Sequence, residues 1–146
     1  LQFNDDRIVL LGESLGGAVA LSLWSDDSTE FPQPQAVLLS STFASMPRTV
    51  ACNYPWFPFQ YLSLDQWPSI DRIAQVKAPI RIFHGTSDKL IPVSEARSLA
   101  FASGDPSRLT EIADGEHNDI PMHLLRKELQ RIRDSANGTT KEETPF

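Results

Sequence analysis

Cysteine is all but absent: Cys52 stands alone among 146 residues, so no internal disulfide can form and the redox state of the compartment stays open. It sits among prolines and aromatics with no histidine nearby in the pattern, the setting of a packed thiol rather than a nucleophile. Basic charge is scarce too. Thirteen Lys and Arg against nineteen Asp and Glu leave a formal charge of −6 with no basic stripe to offset it. That excludes nucleic acid and an anionic membrane surface as partners held through net charge. Apolar runs are short, and none approaches the ~18 residues of a membrane span. A membrane anchor upstream of Leu1 would leave no trace, so the expected location is cytoplasmic or anchored through such a segment. Repeats, metal-ligand spacings, phosphate loops and nucleotide fingerprints are missing, and no cofactor is implied.

What is present begins at "RIVLLGESLGGAVALSLW", residues 7–24. Ile8, Val9, Leu10 and Leu11 form the short apolar run of a strand covered on both faces. Leu15, Ala18, Val19, Leu21, Leu23 and Trp24 then read as a buried helix. Between them Gly12, Ser14 and Gly16 match G-x-S-x-G, a strained strand-to-helix turn that pushes a serine hydroxyl into the open. The turn demands small neighbours, so a side chain at Gly12 or Gly16 is expected to clash.

Further strands are expected at Ala36–Leu39, in "PIRIFHG" from Pro79, and in "RLTEI" from Arg108. Helical patterns cover "IDRIAQVKA" up to Pro79, "SEARSLAFA" with Ser94 as N-cap, and "PMHLLRKELQRIR" behind Pro121. Alternating strands and helices imply a parallel sheet with helices on both faces, an α/β class. One domain over residues 1–134 is expected, followed by a polar tail over 135–146. Residues 41–68 break the rhythm with seven aromatics and four prolines. They read either as a lid over an apolar substrate pocket, with Trp56, Phe57 and Phe59 lining it, or as an excursion packed for stability.

An exposed serine is a poor nucleophile until a general base takes its proton, and that base needs an acid to hold its tautomer. In sites of this kind the chain order is Ser, then Asp or Glu, then His. His117, in the loop "DGEHNDIP" after the last strand, fits the base; His84, inside a strand end, reads as a hydrogen-bonded core residue, and His123 lies in the final helix. Asp88 fits the acid, just past the strand in "FHGTSDKLIP". Asp114, Glu116 and Asp119 share the loop of His117 and read as solvated, with Asp119 a candidate cap for the last helix and Asn118 a candidate brace for the loop.

Taken together and in this order, "GESLGG", "HGTSDKLIP" and "GEHND" resemble the α/β-hydrolase superfamily from about Asp6 to Arg133. "STFASMP", "YPWFPFQYL" and the His-Asn-Asp run resemble its abhydrolase-domain-containing subgroup, whose animal members carry one N-terminal membrane anchor. The resemblance implies a Ser14–Asp88–His117 triad on the C-terminal half of the fold, strands five to eight of an eight-stranded sheet. It also implies an oxyanion hole built from the Leu15 N–H and a second donor on a loop that precedes this chain. The opening on Leu1 and the early strand lead to the expectation that the chain is a piece of a longer protein. Its expected partners are then the missing N-terminal half and a small ester or amide with an apolar acyl group. The expected activity is that of a serine hydrolase working through an acyl-enzyme. The alternative is a non-catalytic fragment or a binding and assembly domain of the same fold.

Overall fold

A computed structural model describes residues 8–23, 34–53 and 67–136, with the side chains of residues 52 and 53 excepted. In chain order the elements are β1 (Val9–Glu13), α1 (Leu15–Ser22), β2 (Ala36–Ser40), α2 (Met46–Asn53), α3 (Ser69–Ile73), β3 (Ile80–Gly85), α4 (Val93–Ala102), a 3-10 turn (Pro106–Arg108), β4 (Leu109–Ile112) and α5 (Met122–Ala136).

The four strands form one parallel sheet in the order β1-β2-β3-β4. Parallel neighbours cannot be joined by tight turns, so each must be reached by a crossover, which is why helices alternate with strands in the sequence. Pairing in register, Leu11 with Leu38, Leu39 with Ile82 and Phe83 with Thr110, brings the strand ends level, so the loops after them meet at one edge. β2 is paired on both sides and is buried throughout. One face of the sheet, through Val37, Leu39, Ile80 and Ile82, packs against Leu21 of α1, Ile73 of α3 and Ala96, Leu99 and Ala100 of α4. α5 sits on the other face. It buries Leu125, pairs Glu128 with Arg81 at 3.1 Å and accepts at the Ile132 carbonyl from the Gln35 amide. Ala18, Phe43 and Ile91 make a second apolar cluster, with Met46 and Trp67 packed on it.

Several expectations are corrected. β1 runs on through Glu13 rather than stopping at Leu11, because its ladder to β2 continues to Ser40. α1 is not buried all round: Leu15 and Val19, four residues apart on one helical face, are 47% and 43% exposed, as is Leu11 at 53%. Among the described strands β1 is paired on one side only, which leaves these residues uncovered. Ser94 is not a cap. α4 starts one residue earlier, with Pro92 at the N-cap, and the missing Pro92 N–H costs nothing there. α3 covers only the first part of "IDRIAQVKA", ending six residues before Pro79. α5 carries on through Ser135 and Ala136, two residues into the expected polar tail. Among the described residues no helix is long and apolar enough to cross a membrane.

Candidate active site

The chain turns from β1 into α1 at Ser14, whose φ of 51° and ψ of −122° lie outside the regions open to ordinary L-residues. Holding a non-glycine residue there costs of order 1–3 kcal/mol, so the surroundings must impose it. They do so from both sides. The Ser14 N–H donates to the Ser40 carbonyl at 2.9 Å, and the Ser14 carbonyl accepts from the Gly17 N–H and from the Thr42 hydroxyl, the latter at 2.7 Å. A Cβ at Gly12 would come within 2.6 Å of the Gly17 Cα and 2.7 Å of the Gly16 carbonyl, as the motif requires. At Gly16 it would meet nothing within 4 Å among the described residues, against the clash expected there. The second crowded position is Gly17, where a Cβ would run into the Thr42 side chain. Crowding falls at Gly17 because that residue faces the chain leaving β2.

His117 lies after β4, 103 residues from Ser14, and its Nε2 is 3.1 Å from the Ser14 hydroxyl oxygen. Its Nδ1 is 2.8 Å from Asp88 Oδ2. Asp88 follows β3 with its side chain fully buried, while the His117 side chain is 16% exposed. A carboxylate buried to that degree needs donors. Oδ1 accepts from the Leu90 and Ile91 N–H groups at 2.9 and 2.8 Å. Oδ2 faces His117 and, at 3.3 Å, Nε2 of the fully buried His84.

The loop carrying His117 is braced by Ser41, Gly115 and Gly85, which the sequence did not single out, and by Asp119 in a role other than the one expected. Buried Ser41, at a positive φ of 47°, donates its hydroxyl to the His117 carbonyl at 2.7 Å. Gly115 packs so closely on Gly85 that a Cβ on Gly85 would strike the Gly115 carbonyl. Asp119 accepts from the Glu116 N–H at 3.1 Å, so it closes the loop and does not cap α5, where Leu124 donates to Pro121 instead. Buried Glu95 on α4 accepts from the Ala44 N–H at 3.0 Å and pairs with Arg48 at 3.3 Å, tying down the chain between β2 and α2. The one available signal was the "STF" run directly after a strand: short hydroxyls at a strand end are suited to bonding backbone.

The Leu15 N–H, in the first turn of α1, has no acceptor among the described residues. A first-turn N–H is free to bind an anionic oxygen beside Ser14. Asp114, Glu116 and Asn118 are exposed, as is His123 on α5. Trp56, Phe57 and Phe59, most of the expected lid and the Cys52 side chain lie outside the described residues. No cluster able to hold a metal ion occurs among the described residues. A cavity of about 240 Å³ lined by Gln35, Arg81, Glu128 and Arg131 lies at the opposite end of the strands and includes none of Ser14, Asp88 and His117.

No family model matches the chain. It is 41% identical over 127 residues to the uncharacterized protein Rv2307c of Mycobacterium tuberculosis, covering 87% of this chain and 43% of that protein. It is 28% identical over 161 residues to the alpha/beta hydrolase domain-containing protein WAV2 of Arabidopsis thaliana, covering 97% of this chain and 51% of that protein. The chain thus spans about half or less of the length of these relatives. Among solved structures it resembles the esterase domain of a Rhodothermus marinus protein, with a TM-score of 0.58 and 18% identity over 89% of this chain and 59% of that one. A puromycin-hydrolyzing peptidase of Mycobacterium tuberculosis gives a TM-score of 0.66 at 14% identity, over 93% of this chain and 22% of that one.

Proposed function

Since this chain belongs to the α/β-hydrolase superfamily, we propose that it carries the nucleophile, acid and base of a serine hydrolase acting on esters, thioesters or amides. The observation that carries this reading is the line of hydrogen bonds from the Ser14 hydroxyl through His117 to Asp88, 3.1 and then 2.8 Å long. In that line the Ser14 oxygen attacks the acyl carbon while its proton passes to His117 Nε2. Asp88 keeps the other ring proton on Nδ1 and stabilises the imidazolium as it forms. The Leu15 N–H takes part of the charge on the tetrahedral oxygen. His117 then returns its proton to the leaving oxygen, sulfur or nitrogen, and the acyl group remains on Ser14 until water, activated by the same ring, releases it.

A single donor makes an incomplete oxyanion hole, and loss of one donor typically costs ~10²–10³ in rate. The second donor and the strand that pairs with the free side of β1 are assigned to the rest of the longer protein. The aromatic run at 54–61 suits an apolar acyl group as substrate.

The test is labelling of the full-length protein with a fluorophosphonate probe. The wild type is expected to label at one site, and Ser14→Ala to abolish the signal. His117→Ala is expected to slow ester turnover by about 10²–10⁴-fold. Absence of labelling in the folded full-length wild type would favour a binding or assembly domain of this fold instead.

A further inference from the structure

Buried histidines usually satisfy both ring nitrogens, and His84 does not. It is the penultimate residue of β3 and has no exposed surface, its Nε2 is 2.8 Å from the Ile91 carbonyl and 3.3 Å from Asp88 Oδ2, and its Nδ1 has no hydrogen-bond partner among the described residues. Two acceptors at Nε2 and none at Nδ1 assign the ring proton to Nε2. That one proton is shared between the carboxylate and the carbonyl three residues beyond it, a three-centre bond across the loop that holds Asp88. If packing were the ring's only task, an apolar side chain of the same size would serve better, because it would bury no unpaired nitrogen.

We infer that His84 is a positioning residue for Asp88, a role that rests on the triad reading above. The Leu90 and Ile91 N–H groups pin Oδ1 but leave the carboxylate free to twist about that point. Oδ2 sets the twist, and it has two ring N–H groups to answer to, from His117 and from His84. His117 comes from a loop, whereas His84 stands on a central strand paired to β2 and β4. The rigid ring therefore holds the second oxygen where the His117 ring must find it. Positioning of this kind raises the rate without touching the substrate.

The test uses the full-length protein and the rate constant for fluorophosphonate labelling, with the low-field proton resonance of His117 Nδ1–H as a direct probe of its bond to Asp88. His84→Gln places an amide N–H near the position of Nε2, while His84→Met fills the space with no donor. His84→Met is expected to slow labelling about 10- to 100-fold and to shift or broaden the resonance. His84→Gln is expected to keep at least about a third of the rate and the resonance in place, although both variants lose the ring. If His84→Met does not fold, His84→Asn replaces it, since its amide is one carbon too short to reach Asp88. Equal rates and an unmoved resonance in the donor and donor-less variants, with Ser14→Ala unlabelled, would overturn this inference alone. Labelling that survives in Ser14→Ala would overturn the triad reading and this inference with it.

Discussion

Three glycines within six residues face different neighbours, and their substitutions separate accordingly. At Gly12 the obstacle is backbone, which cannot step aside; at Gly17 it is the side chain of Thr42, which bonds the Ser14 carbonyl; at Gly16 there is none among the described residues. Gly16→Ala is expected to stay within about 0.5 kcal/mol of the parent in urea denaturation. Gly17→Ala is expected to cost about 1–3 kcal/mol, as overpacking does. Gly12→Ala should cost more than either and should lower the labelling rate, since the turn that presents Ser14 must move. A Gly16→Ala variant as damaged as Gly17→Ala would mean that the face carrying Gly16 is covered in the whole protein.

Elements are held together by a few cross-links between strand and helix, and one of them responds to pH. Glu111 on β4 receives two hydrogen bonds of 2.8 Å from Arg97 on α4. These bonds first, and the Arg97 charge after burial is set against it, hold the Glu111 carboxyl below its ordinary value, while the same bonds raise Arg97. The sign follows from linkage: a carboxyl lowered on folding contributes stability that is fully present above its unfolded value and is lost as pH falls through the folded one. Both side chains are well exposed, so the effect is small and sensitive to salt. Glu111→Gln should lower the denaturation midpoint at about pH 6, and the gap to the wild type should narrow as pH falls below the ordinary glutamate range. A gap independent of pH would mean that Glu111 acts through packing instead. At this scale the sequence was legible in the strands that lie between two neighbours, as at Ala36–Ser40 and Ile80–Gly85. It was less so at helix starts, where Pro92 displaced Ser94, because proline sets the entry geometry without needing a side-chain bond.

On the scale of the whole molecule the feature that matters is the free side of β1. Leu11, Leu15 and Val19 are exposed on and beside a strand that pairs only with β2 among the described residues. An unpaired apolar edge is a template for association. Residues 1–146 expressed alone are therefore expected to sediment as associated species and to turn over p-nitrophenyl esters poorly. On the proposed function, a chain spanning the full length of these relatives should be monodisperse and active, since one further set of strands would cover the edge and supply the second oxyanion donor. A monodisperse, Ser14-dependent esterase from residues 1–146 would overturn the assignment of both to the rest of the protein.

By itself the sequence determined the strand-to-helix turn at Ser14, the order of Ser14, Asp88 and His117 along the chain, and the alternation of strands and helices. These depend on neighbours a few residues apart: glycines that free a turn, apolar runs that need cover, a proline that ends a pattern. The tertiary structure alone decided that Thr42 clamps Ser14 from 28 residues away, that Ser41 braces His117 across 76, and that His84 meets Asp88 over the turn between them. It also decided that Gly17 and not Gly16 is the crowded position. Such contacts are set by the register of parallel strands, which brings the loops after β1, β2, β3 and β4 to one edge. Parallel partners are joined by crossovers and lie tens of residues apart in the chain, so no single run of residues records which loops the register brings together.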